Sequence, residues 1–365
     1  MAQKINGLIN IERIFFYISY IKVMIYLNFG NDLSKNKIAG FDMDYTIIKT
    51  KSKKLFPIDK NDWTWLYPSI PNKLEQLWKD GYSIVFFSNQ LGLTTGRVKQ
   101  EDLEFKINQI ANQLKFPLIF FAAPHDDNYR KPRIGLWKYL NDINKVKINK
   151  KKSFYVGDMA GRIKIDGKKA DRYDSDRKFA KNIKLKFYTP EEYFLNEKER
   201  PWSYKGYMLD YITESQPLKF KPFKKTMLMV AGYPGSGKST FAKKHKKFEH
   251  FCKDIYGSKT VKKLDEYMIN NNPVLVEGLF YLDSQRKPYL NLAKKYGYKI
   301  KYVELLTSKD LSYHLNMYRS LKYKEKKIPM VVYHTYNKRY EKPSKEYGKV
   351  TTYHPNISKK INKQF

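Results

Sequence analysis

A glycine-rich segment in the second half of the 365-residue chain has the composition of a phosphate-binding loop. It follows an apolar run, 227–231, and precedes helix-like sequence. The pattern G-x-x-x-x-G-K-[ST] is matched by Gly232, Tyr233, Pro234, Gly235, Ser236, Gly237, Lys238 and Ser239, and Thr240, which follows, is also expected to bind the nucleotide. In such a loop, backbone N–H groups surround phosphate oxygens, the lysine reaches the β- and γ-phosphates, and the serine hydroxyl ligates Mg²⁺. The segment is therefore predicted to bind a nucleoside triphosphate, taken to be ATP, with Ser239 as a metal ligand.

Two aspartates, Asp42 and Asp44, follow another apolar run at 38–41. Side chains alternate along an extended backbone, so both carboxylates are expected on the same side of it. Carboxylate oxygens suit Mg²⁺, and two close carboxylates also suit a nucleophile paired with a general acid or base. On its own, the pattern D-x-D-x-T is about equally typical of a solvated strand end.

Three later strand ends carry further polar side chains, Ser88, Lys131 and Asp158. The carboxyl ends of parallel strands lie at one edge of a sheet, where open α/β sheets bind ligands. Ser88 is expected to hold a phosphate oxygen and Lys131 to neutralise phosphate charge. Asp158 is expected to complete a metal site with Asp42 and Asp44. Four strand ends carrying Asp, Ser, Lys and Asp in this order resemble those of the haloacid dehalogenase-type phosphatases.

That resemblance implies roles for the first site. In the family the first aspartate attacks phosphorus and forms an aspartyl-phosphate, and the second protonates the leaving oxygen and then activates water. These roles fall on Asp42 and Asp44, with Lys131 as a third catalytic residue and Asn89 binding substrate beside Ser88. The chain has Tyr45 where the family often has glycine. This change is expected to narrow the mouth of the site without removing a catalytic group.

The segments that must position these residues alternate between strand-like and helix-like, which predicts mostly parallel α/β sheets. The predicted strands are 38–41, 82–87, 117–123, 153–156, 185–188, 227–231, 274–276 and 300–305. The predicted helices include 71–79, 98–114, 134–140, 261–269, 286–295 and 309–319. Residues 11–29 are apolar, but Glu12, Arg13 and Lys22 interrupt them, which argues against a signal peptide or a membrane span. A strand or helix packed on the first domain is expected there.

Composition indicates an intracellular protein with a polyanionic partner. The net charge is +35, because 71 Lys and Arg outnumber 36 Asp and Glu. Such an excess favours nucleic acid over a membrane as partner. The hydrophobic content of 42% is enough for real cores, so a disordered polybasic chain is excluded. A single cysteine, Cys252, rules out internal disulfides and fits a reducing compartment such as cytoplasm or nucleus.

A more specific resemblance covers about residues 37–343. The motifs FDMDYTIIKTKSKKLFP, YRKP, FYVGDMAGR, GYPGSGKSTF and CKDIYGS occur in one order and look like the eukaryotic-type bifunctional polynucleotide phosphatase/kinases. The resemblance implies an enzyme that removes 3′-phosphates and phosphorylates 5′-hydroxyls, leaving ends that a ligase can join, with DNA expected ahead of RNA. The forkhead-associated adaptor domain of the family has no room in the N-terminal stretch.

The same resemblance implies a domain order. Residues 1–36 are an N-terminal extension, and 37–195 form a haloacid dehalogenase-like, Rossmann-type 3′-phosphatase domain. Residues 196–225, which are basic and broken by prolines, form a linker. Residues 226–365 form a P-loop NTPase-type 5′-kinase domain.

Kinase roles carry over to three positions. Asp254 matches the general base toward the 5′-hydroxyl, Arg286 matches a substrate-side arginine, and Arg319 matches a lid arginine that stabilises the transferring phosphate. Asp176 matches a position that supports metal or substrate. Arg162, beside Asp158, fits either a phosphate contact or an ordinary salt bridge.

One departure from the family pattern leaves alternatives open. The chain has Glu277-Gly278-Leu279 where the family usually has Asp, Asn and Thr. A second hypothesis is therefore a nucleic-acid-binding protein whose kinase half has decayed to a nucleotide-sensing module. A third is a metabolite phosphatase fused to a small-molecule kinase, which the basic excess disfavours.

Four aromatic side chains near the first site could stack on exposed bases, and these are Trp63, Trp65, Tyr67 and Tyr129. Core packing is the expected role for most of them.

Overall fold

The computed structural model describes residues 11–18, 21–206 and 217–355. These residues divide into two compact units, one ending at Lys205 and one beginning at Gly206. Within the described ranges, no helix combines the length and the apolar character needed to cross a membrane.

The first unit is built on a seven-stranded sheet in the order β1-β2-β7-β6-β3-β8-β9. Its strands are β1 (Ile11–Ile18), β2 (Ile21–Phe29), β3 (Lys37–Phe41), β6 (Tyr82–Asn89), β7 (Leu118–Ala123), β8 (Phe154–Val156) and β9 (Lys186–Tyr188). A separate two-stranded ribbon consists of β4 (Ile48–Lys49) and β5 (Thr64–Trp65). The helices are α1 (Ile70–Lys79), α2 (Gln100–Leu114), α3 (Gly135–Ile143), α4 (Ser175–Ile183) and α5 (Pro190–Leu195).

Apolar residues at consecutive positions of the central strands fill cores on both faces of this sheet. In β6, Ile84 and Phe86 point into one core, whereas Val85 and Phe87 point into the other. A strand that is buried on both faces has a continuous apolar sequence, which is typical of a parallel sheet covered by helices. Strands β7, β6, β3, β8 and β9, which are adjacent in that order, are indeed parallel to one another.

Asp42 follows β3, the strand at which the order of strands in the sheet reverses. Strand β3 has β6 on one side and β8 on the other, so the connections leaving β3 and β8 run to opposite sides. The helices then diverge and leave a crevice at the carboxyl ends of these strands, where α/β sheets bind ligands. The sheet order thus brings the ends of β3, β6, β7 and β8 together, as the sequence pattern predicts.

The predicted N-terminal extension supplies part of this sheet. Strand β2 pairs antiparallel with β7, from Ile25 opposite Ala122 to Phe29 opposite Leu118, and β1 pairs antiparallel with β2. The side chain of Leu27 is buried in the same core as the central strands. The strand or helix expected within 11–29 is therefore two strands, and the sheet extends beyond the boundary set at residue 37.

The second unit is a five-stranded parallel sheet in the order β11-β12-β10-β13-β14. Its strands are β10 (Thr226–Ala231), β11 (Glu249–Cys252), β12 (Val274–Gly278), β13 (Lys299–Leu305) and β14 (Val350–Tyr353). Its helices are α6 (Lys238–Lys244), α7 (Lys253–Tyr256), α8 (Thr260–Met268), α9 (Asp283–Tyr296), α10 (Lys309–Tyr323) and α11 (Met330–Arg339). The glycine-rich segment connects the central strand β10 to α6, as a phosphate-binding loop requires.

The segment predicted as a linker, 196–225, is divided between the two units. Trp202 makes a backbone bridge to Arg162, and its ring lies under the Arg177 guanidinium, so this end belongs to the first unit. Phe220 packs against Phe241 of the second unit. The unit boundary after Lys205 therefore falls inside the predicted linker.

The pairing of β2 with the sheet predicts a large effect of a single truncation. We expect Leu27→Ala to lower the free energy of unfolding of the first unit by about 3 kcal/mol, because a fully buried leucine is lost from a packed core. All five tryptophans precede residue 206, so indole fluorescence during urea unfolding reports on the first unit alone. Leu55→Ala, at a side chain that is 63% exposed, is the control and should change stability by less than about 0.5 kcal/mol. Equal effects would contradict an integral β2.

Candidate active sites

The first candidate site is organised around the ammonium group of Lys131. Its Nζ donates hydrogen bonds to Asp42 Oδ1 at 2.5 Å, Asp176 Oδ1 at 2.7 Å and the Tyr155 hydroxyl at 2.8 Å. All four residues are buried. Lys131 therefore neutralises part of the carboxylate charge at the strand ends and fixes the direction of the Asp42 side chain.

Three carboxylates form a group that fits a divalent cation. Oxygen atoms of Asp42, Asp158 and Asp176 all lie within 4.8 Å of one another. Burial raises the pKa of Asp42 to about 7, despite the opposing effect of Lys131, and it also raises the pKa of Asp158. A bound cation would offset this cost of ionisation, and carboxylate oxygens are the ligands that Mg²⁺ prefers. The donor set thus fits Mg²⁺.

Asp176 reaches this group because a glycine leaves room for it. A β-carbon at Gly157 would lie 2.5 Å from Cβ and Cγ of Asp176, so only glycine fits there. The carboxylate of Asp176 also accepts hydrogen bonds from the Met159 backbone N–H at 3.1 Å and the Tyr155 hydroxyl at 3.0 Å. Sequence reasoning gave Asp176 only a loose role and missed Tyr155. Both sit on buried faces that a strand-end pattern does not reveal.

The structure changes the predicted metal set at Asp44. Its carboxylate is not a member of the group of three; instead, Asp44 Oδ2 accepts a hydrogen bond from Gln90 Nε2 at 2.8 Å. Gln90 Nε2 also donates to Ser88 Oγ at 2.7 Å. Tyr45 has a φ of 58°, so the chain turns directly after Asp44 instead of extending. The backbone already bends at Met43, between the two aspartates, so the alternation of an extended strand does not hold there. Gln90, which the sequence reasoning missed, links Asp44 to Ser88.

Asn89 holds the lysine loop rather than facing the crevice. Its side chain donates from Nδ2 to the Lys131 carbonyl at 3.1 Å and accepts from the Lys131 backbone N–H at 2.8 Å. This paired contact fixes the backbone from which the Lys131 side chain extends. A contact between Asn89 and substrate remains a prediction, whereas the contact with Lys131 is present.

Arg162 is committed to an ion-pair network. Its Nε donates to Asp171 at 2.8 Å, its Nη1 donates to Glu191 at 2.6 Å, and its Nη2 donates to the Asp158 carbonyl at 2.9 Å. The guanidinium is buried by these partners. Of the two alternatives for Arg162, the structure favours the salt bridge, and the arginine supports the loop that carries Asp158.

The aromatic side chains near the first site pack in the interior. Trp63 and Trp65 contact each other edge to face at 5.4 Å, and Tyr67 packs against the core at Phe194. Tyr129 packs against the opposite core. Their positions favour core packing over base stacking.

The second candidate site is the loop after β10. Three of its glycines have positive φ values, which are 150° at Gly232, 77° at Gly235 and 95° at Gly237. Gly235 also has no room for a side chain, because a β-carbon there would lie 2.6 Å from the Ser312 carbonyl oxygen. Lys238 Nζ donates to the Gly232 and Tyr233 carbonyls at 3.0 and 2.7 Å. The lysine thus lies over its own loop, where phosphates would be cradled.

Neighbouring strands complete this loop. Ser239 Oγ donates to Glu277 Oε1 at 2.8 Å, so the acid at the end of β12 contacts the predicted metal-binding hydroxyl. Burial lowers the pKa of Lys238 to about 8, an effect that Glu277 opposes and Arg319 reinforces. A cavity of about 2010 Å³ opens here, and it is lined by the loop together with Asp254, Glu277 and Arg319. The space and the charge both suit a nucleoside triphosphate with an acceptor.

The structure does not bring Arg286 into this cavity. The Arg286 side chain is fully buried, donates to the carbonyls of Phe280 and Glu341 at 3.1 and 2.6 Å, and lies over the Tyr347 ring. The predicted substrate contact is therefore not supported. Arg286 lies on the inward face of α9 and ties this helix to the chain around Glu341.

Next to the segment that departs from the family pattern, the cavity wall carries different side chains from those expected. Gly278 and Leu279 border the cavity without polar side chains. Ser284 and Gln285, at the start of α9, border it as well, and Gln285 Oε1 is buried without a hydrogen-bond partner among the described residues. The sequence reasoning missed these two polar groups of the cavity wall.

Comparisons with known proteins cover both units. The model of the family "Polynucleotide kinase 3 phosphatase" matches residues 37–194. A bifunctional polynucleotide phosphatase/kinase of Schizosaccharomyces pombe is 32% identical over 331 residues, which cover 88% of this chain and 79% of that protein. The polynucleotide 3′-phosphatase ZDP of Arabidopsis thaliana is 37% identical over 197 residues, covering 49% of this chain and 27% of its own length. A polynucleotide 3′-phosphatase of Saccharomyces cerevisiae is 28% identical over 214 residues, covering 43% of this chain and 87% of its own length.

These matches agree with the architecture. The first unit is an α/β phosphatase domain and the second is an α/β kinase domain with a phosphate-binding loop, so the predicted α/β fold class is confirmed. The S. pombe protein aligns over most of the chain, whereas the S. cerevisiae protein aligns over less than half of it.

The contact between Gly157 and Asp176 predicts a selective loss of activity. We expect Gly157→Ala to displace Asp176 and to lower phosphatase kcat by about 100-fold, because a shift of about 1 Å in a catalytic group has this effect. Turnover of a phosphate monoester by the full chain measures it. Lys164→Ala, at an exposed residue of the same unit, is the control and should keep full activity. Full activity in Gly157→Ala would mean that Asp176 has no part in the site.

Proposed function

Because the chain belongs to the bifunctional polynucleotide phosphatase/kinase family, we propose that it repairs nucleic-acid ends with one active site in each unit. The first unit hydrolyses 3′-phosphates and the second transfers the γ-phosphate of ATP to 5′-hydroxyls. The observation that carries the proposal is the position of Lys131, which holds Asp42 and Asp176 at the ends of the parallel strands.

In the proposed phosphatase reaction, Asp42 is the nucleophile. Its free carboxylate oxygen attacks phosphorus, the bond between phosphorus and the 3′-oxygen breaks, and Asp44 gives its proton to the departing 3′-oxygen. Asp44 then removes a proton from water, whose oxygen attacks the aspartyl-phosphate and releases inorganic phosphate. Gln90, which bonds to both Asp44 and Ser88, keeps the acid next to the phosphate-binding hydroxyl.

Lys131 and the three carboxylates have different electrostatic roles at this site. Lys131 directs Asp42 and offsets the negative charge that would otherwise repel a phosphate dianion. Asp42, Asp158 and Asp176 would hold Mg²⁺, which supplies charge neutralisation for the phosphate oxygens.

In the proposed kinase reaction, Asp254 is the general base. It lies exposed on the cavity wall and takes the proton of the 5′-hydroxyl as that oxygen attacks the γ-phosphorus. The bond from the γ-phosphorus to its bridging oxygen breaks, and ADP leaves. Lys238 exchanges its carbonyl partners for phosphate oxygens, and Arg319 stabilises the charge on the transferring group. Ser239, held by Glu277, would ligate the Mg²⁺ that accompanies ATP.

We further propose that the substrates are DNA ends, which then pass to a ligase in a reducing intracellular compartment. The net charge of +35 supports a polyanionic partner. Exposed lysines line the same cavity as the phosphate-binding loop, and these are Lys243, Lys244, Lys246, Lys247 and Lys253. They are suited to contacts with backbone phosphates on either side of a 5′ end.

The alternative of a decayed kinase half is less well supported. It rests on Gly278 and Leu279, which replace polar family residues. Ser239 still has its acidic partner in Glu277, Asp254 still faces the cavity, and Gln285 offers an unpartnered polar group within the described part of the cavity. These contacts favour an active kinase.

Separate sites predict separate losses of activity. With ATP, Mg²⁺ and a nicked duplex bearing a 3′-phosphate and a 5′-hydroxyl, we expect Asp42→Asn to abolish 3′-dephosphorylation and to spare 5′-phosphorylation, because an amide is not a nucleophile. Lys238→Ala should do the reverse, with a loss of about 100- to 1000-fold. Scoring each end by gel electrophoresis measures both.

Matched controls make this test decisive. Asp166→Asn and Lys262→Ala change exposed residues in the first and second units and should leave both activities intact. If either active-site variant lost both activities while remaining folded, the two sites would not be independent. If wild type left the 5′-hydroxyl unchanged, the kinase half of the proposal would be wrong.

The lysines of the cavity predict a measurable contribution to the salt dependence of oligonucleotide binding. We expect Lys247→Ala to reduce the slope of log affinity against log salt by about 0.9 for an oligonucleotide with a 5′-hydroxyl, since one phosphate contact is lost. Lys299→Ala, at an exposed residue that does not line the cavity, is the control. Affinity titrations at several salt concentrations measure the slope. An unchanged slope in Lys247→Ala would mean that Lys247 does not contact a phosphate of the nucleic-acid backbone.

A further inference from the structure

Three potential metal ligands of different chemical type face one another beside the phosphate-binding loop. His250 and Cys252 are two positions apart on β11, so their side chains lie on the same face of the sheet. Cys252 lies directly opposite Glu277 on the parallel strand β12. Strand periodicity and register together thus bring an imidazole, a thiol and a carboxylate to one place.

The distances and the unpaired atoms at this place indicate a ligand site. One ligand atom from each of His250, Cys252 and Glu277 lies within 4.8 Å of the other two, and His250 Nε2 is 3.2 Å from Glu277 Oε1. Glu277 is only 6% exposed, and its second oxygen, Oε2, has no hydrogen-bond partner anywhere in the described chain. A buried carboxylate oxygen without a donor is costly, and a cation would remove that cost.

The donor set selects the type of cation. Mg²⁺ prefers oxygen ligands in octahedral geometry, so a thiol and an imidazole do not suit it. Nitrogen, sulfur and oxygen donors together suit Zn²⁺, which commonly has three protein ligands and one exchangeable position. Cys252 and Glu277 both line the cavity, so a cation and its fourth ligand can reach the site. This group is therefore chemically distinct from the oxygen-only group in the first unit.

We propose that His250, Cys252 and Glu277 form a binding site for a thiophilic divalent cation such as Zn²⁺, and that its occupancy inhibits the kinase. The inhibitory part rests on the proposed function. Glu277 Oε1 accepts the Ser239 hydroxyl at 2.8 Å. A cation bound to the Glu277 carboxylate competes for the lone pairs that hold Ser239, and Ser239 then loses the contact that orients it toward the Mg²⁺ of ATP.

Because Cys252 is the only cysteine, the binding step has an optical signature that belongs to one residue. We expect the full-length chain titrated with Co²⁺ to develop a thiolate-to-cobalt charge-transfer band in the near ultraviolet, and added Zn²⁺ to abolish it. Cys252→Ser should lose the band, and His250→Ala should weaken Co²⁺ affinity by more than about tenfold. The control His334→Ala, at an exposed histidine, should match wild type.

The kinase assay tests the second part separately. At constant Mg²⁺ and ATP, Zn²⁺ should lower 5′-phosphorylation by wild type several-fold, whereas Cys252→Ser should retain its activity at the same Zn²⁺ concentration. Absence of the cobalt band, or a band of equal strength in Cys252→Ser, would overturn the site. A band without kinase inhibition would overturn the regulatory role. A band in a chain that has no kinase activity in Mg²⁺ and ATP would leave the site standing and count against the proposed kinase function.

Discussion

Buried negative charge at the carboxyl edge of the first sheet is the constraint on which that unit depends. Asp42, Asp158 and Asp176 are held close together, and buried carboxylates are stable only when they are paired or bind a cation. Lys131 donates to two of them, and if all are ionised the group retains two negative charges, the amount that one divalent cation neutralises. Neighbouring residues hold these charged groups in place. Gly157 leaves space for Asp176, and the Asn89 side-chain amide at the end of β6 fixes the Lys131 backbone.

The second unit meets the opposite electrostatic requirement. Its loop presents backbone N–H groups and the half-buried Lys238, and Arg319 of α10 lines the same cavity, so this site has an excess of donors and positive charge. Glycines are needed in this loop because their φ values are positive, and at Gly235 a side chain would also collide with α10. A phosphate approaching the first site would therefore need a cation to offset this negative charge, whereas the second site already carries positive charge. The same chemical group can therefore be removed in one unit and transferred in the other without shared residues.

Features that depend on local sequence pattern are predicted correctly, whereas side-chain directions and strand pairings that depend on tertiary contacts are not. Apolar runs followed by Asp42, Ser88, Lys131 and Asp158 identify the strand ends correctly, because fully buried parallel strands have a simple pattern. The Asp44 carboxylate lies outside the group of three because the backbone bends at Met43, between the two aspartates, which no alternation rule foresees. Arg286 was misassigned because motif matching gives a position along the chain and not the direction of a side chain. The choice between strand and helix at 11–29 stayed open because the antiparallel pairing of β2 with β7 is a long-range contact that local pattern does not specify.

Glu277 shows how one changed residue can connect two chemistries. The family position usually holds a shorter acid, and the extra methylene of glutamate lengthens the reach of the carboxylate from β12. One oxygen meets the Ser239 hydroxyl while the same carboxylate lies against His250, and its strand partner across the register is Cys252. The Glu277 carboxylate is therefore shared by two proposed metal environments. One has oxygen ligands for the metal of the nucleotide, and the other has nitrogen and sulfur ligands for a softer cation. Because that carboxylate cannot serve both fully, the two cations must compete through it, and the balance between them is determined by the residue at which this chain departs from its family.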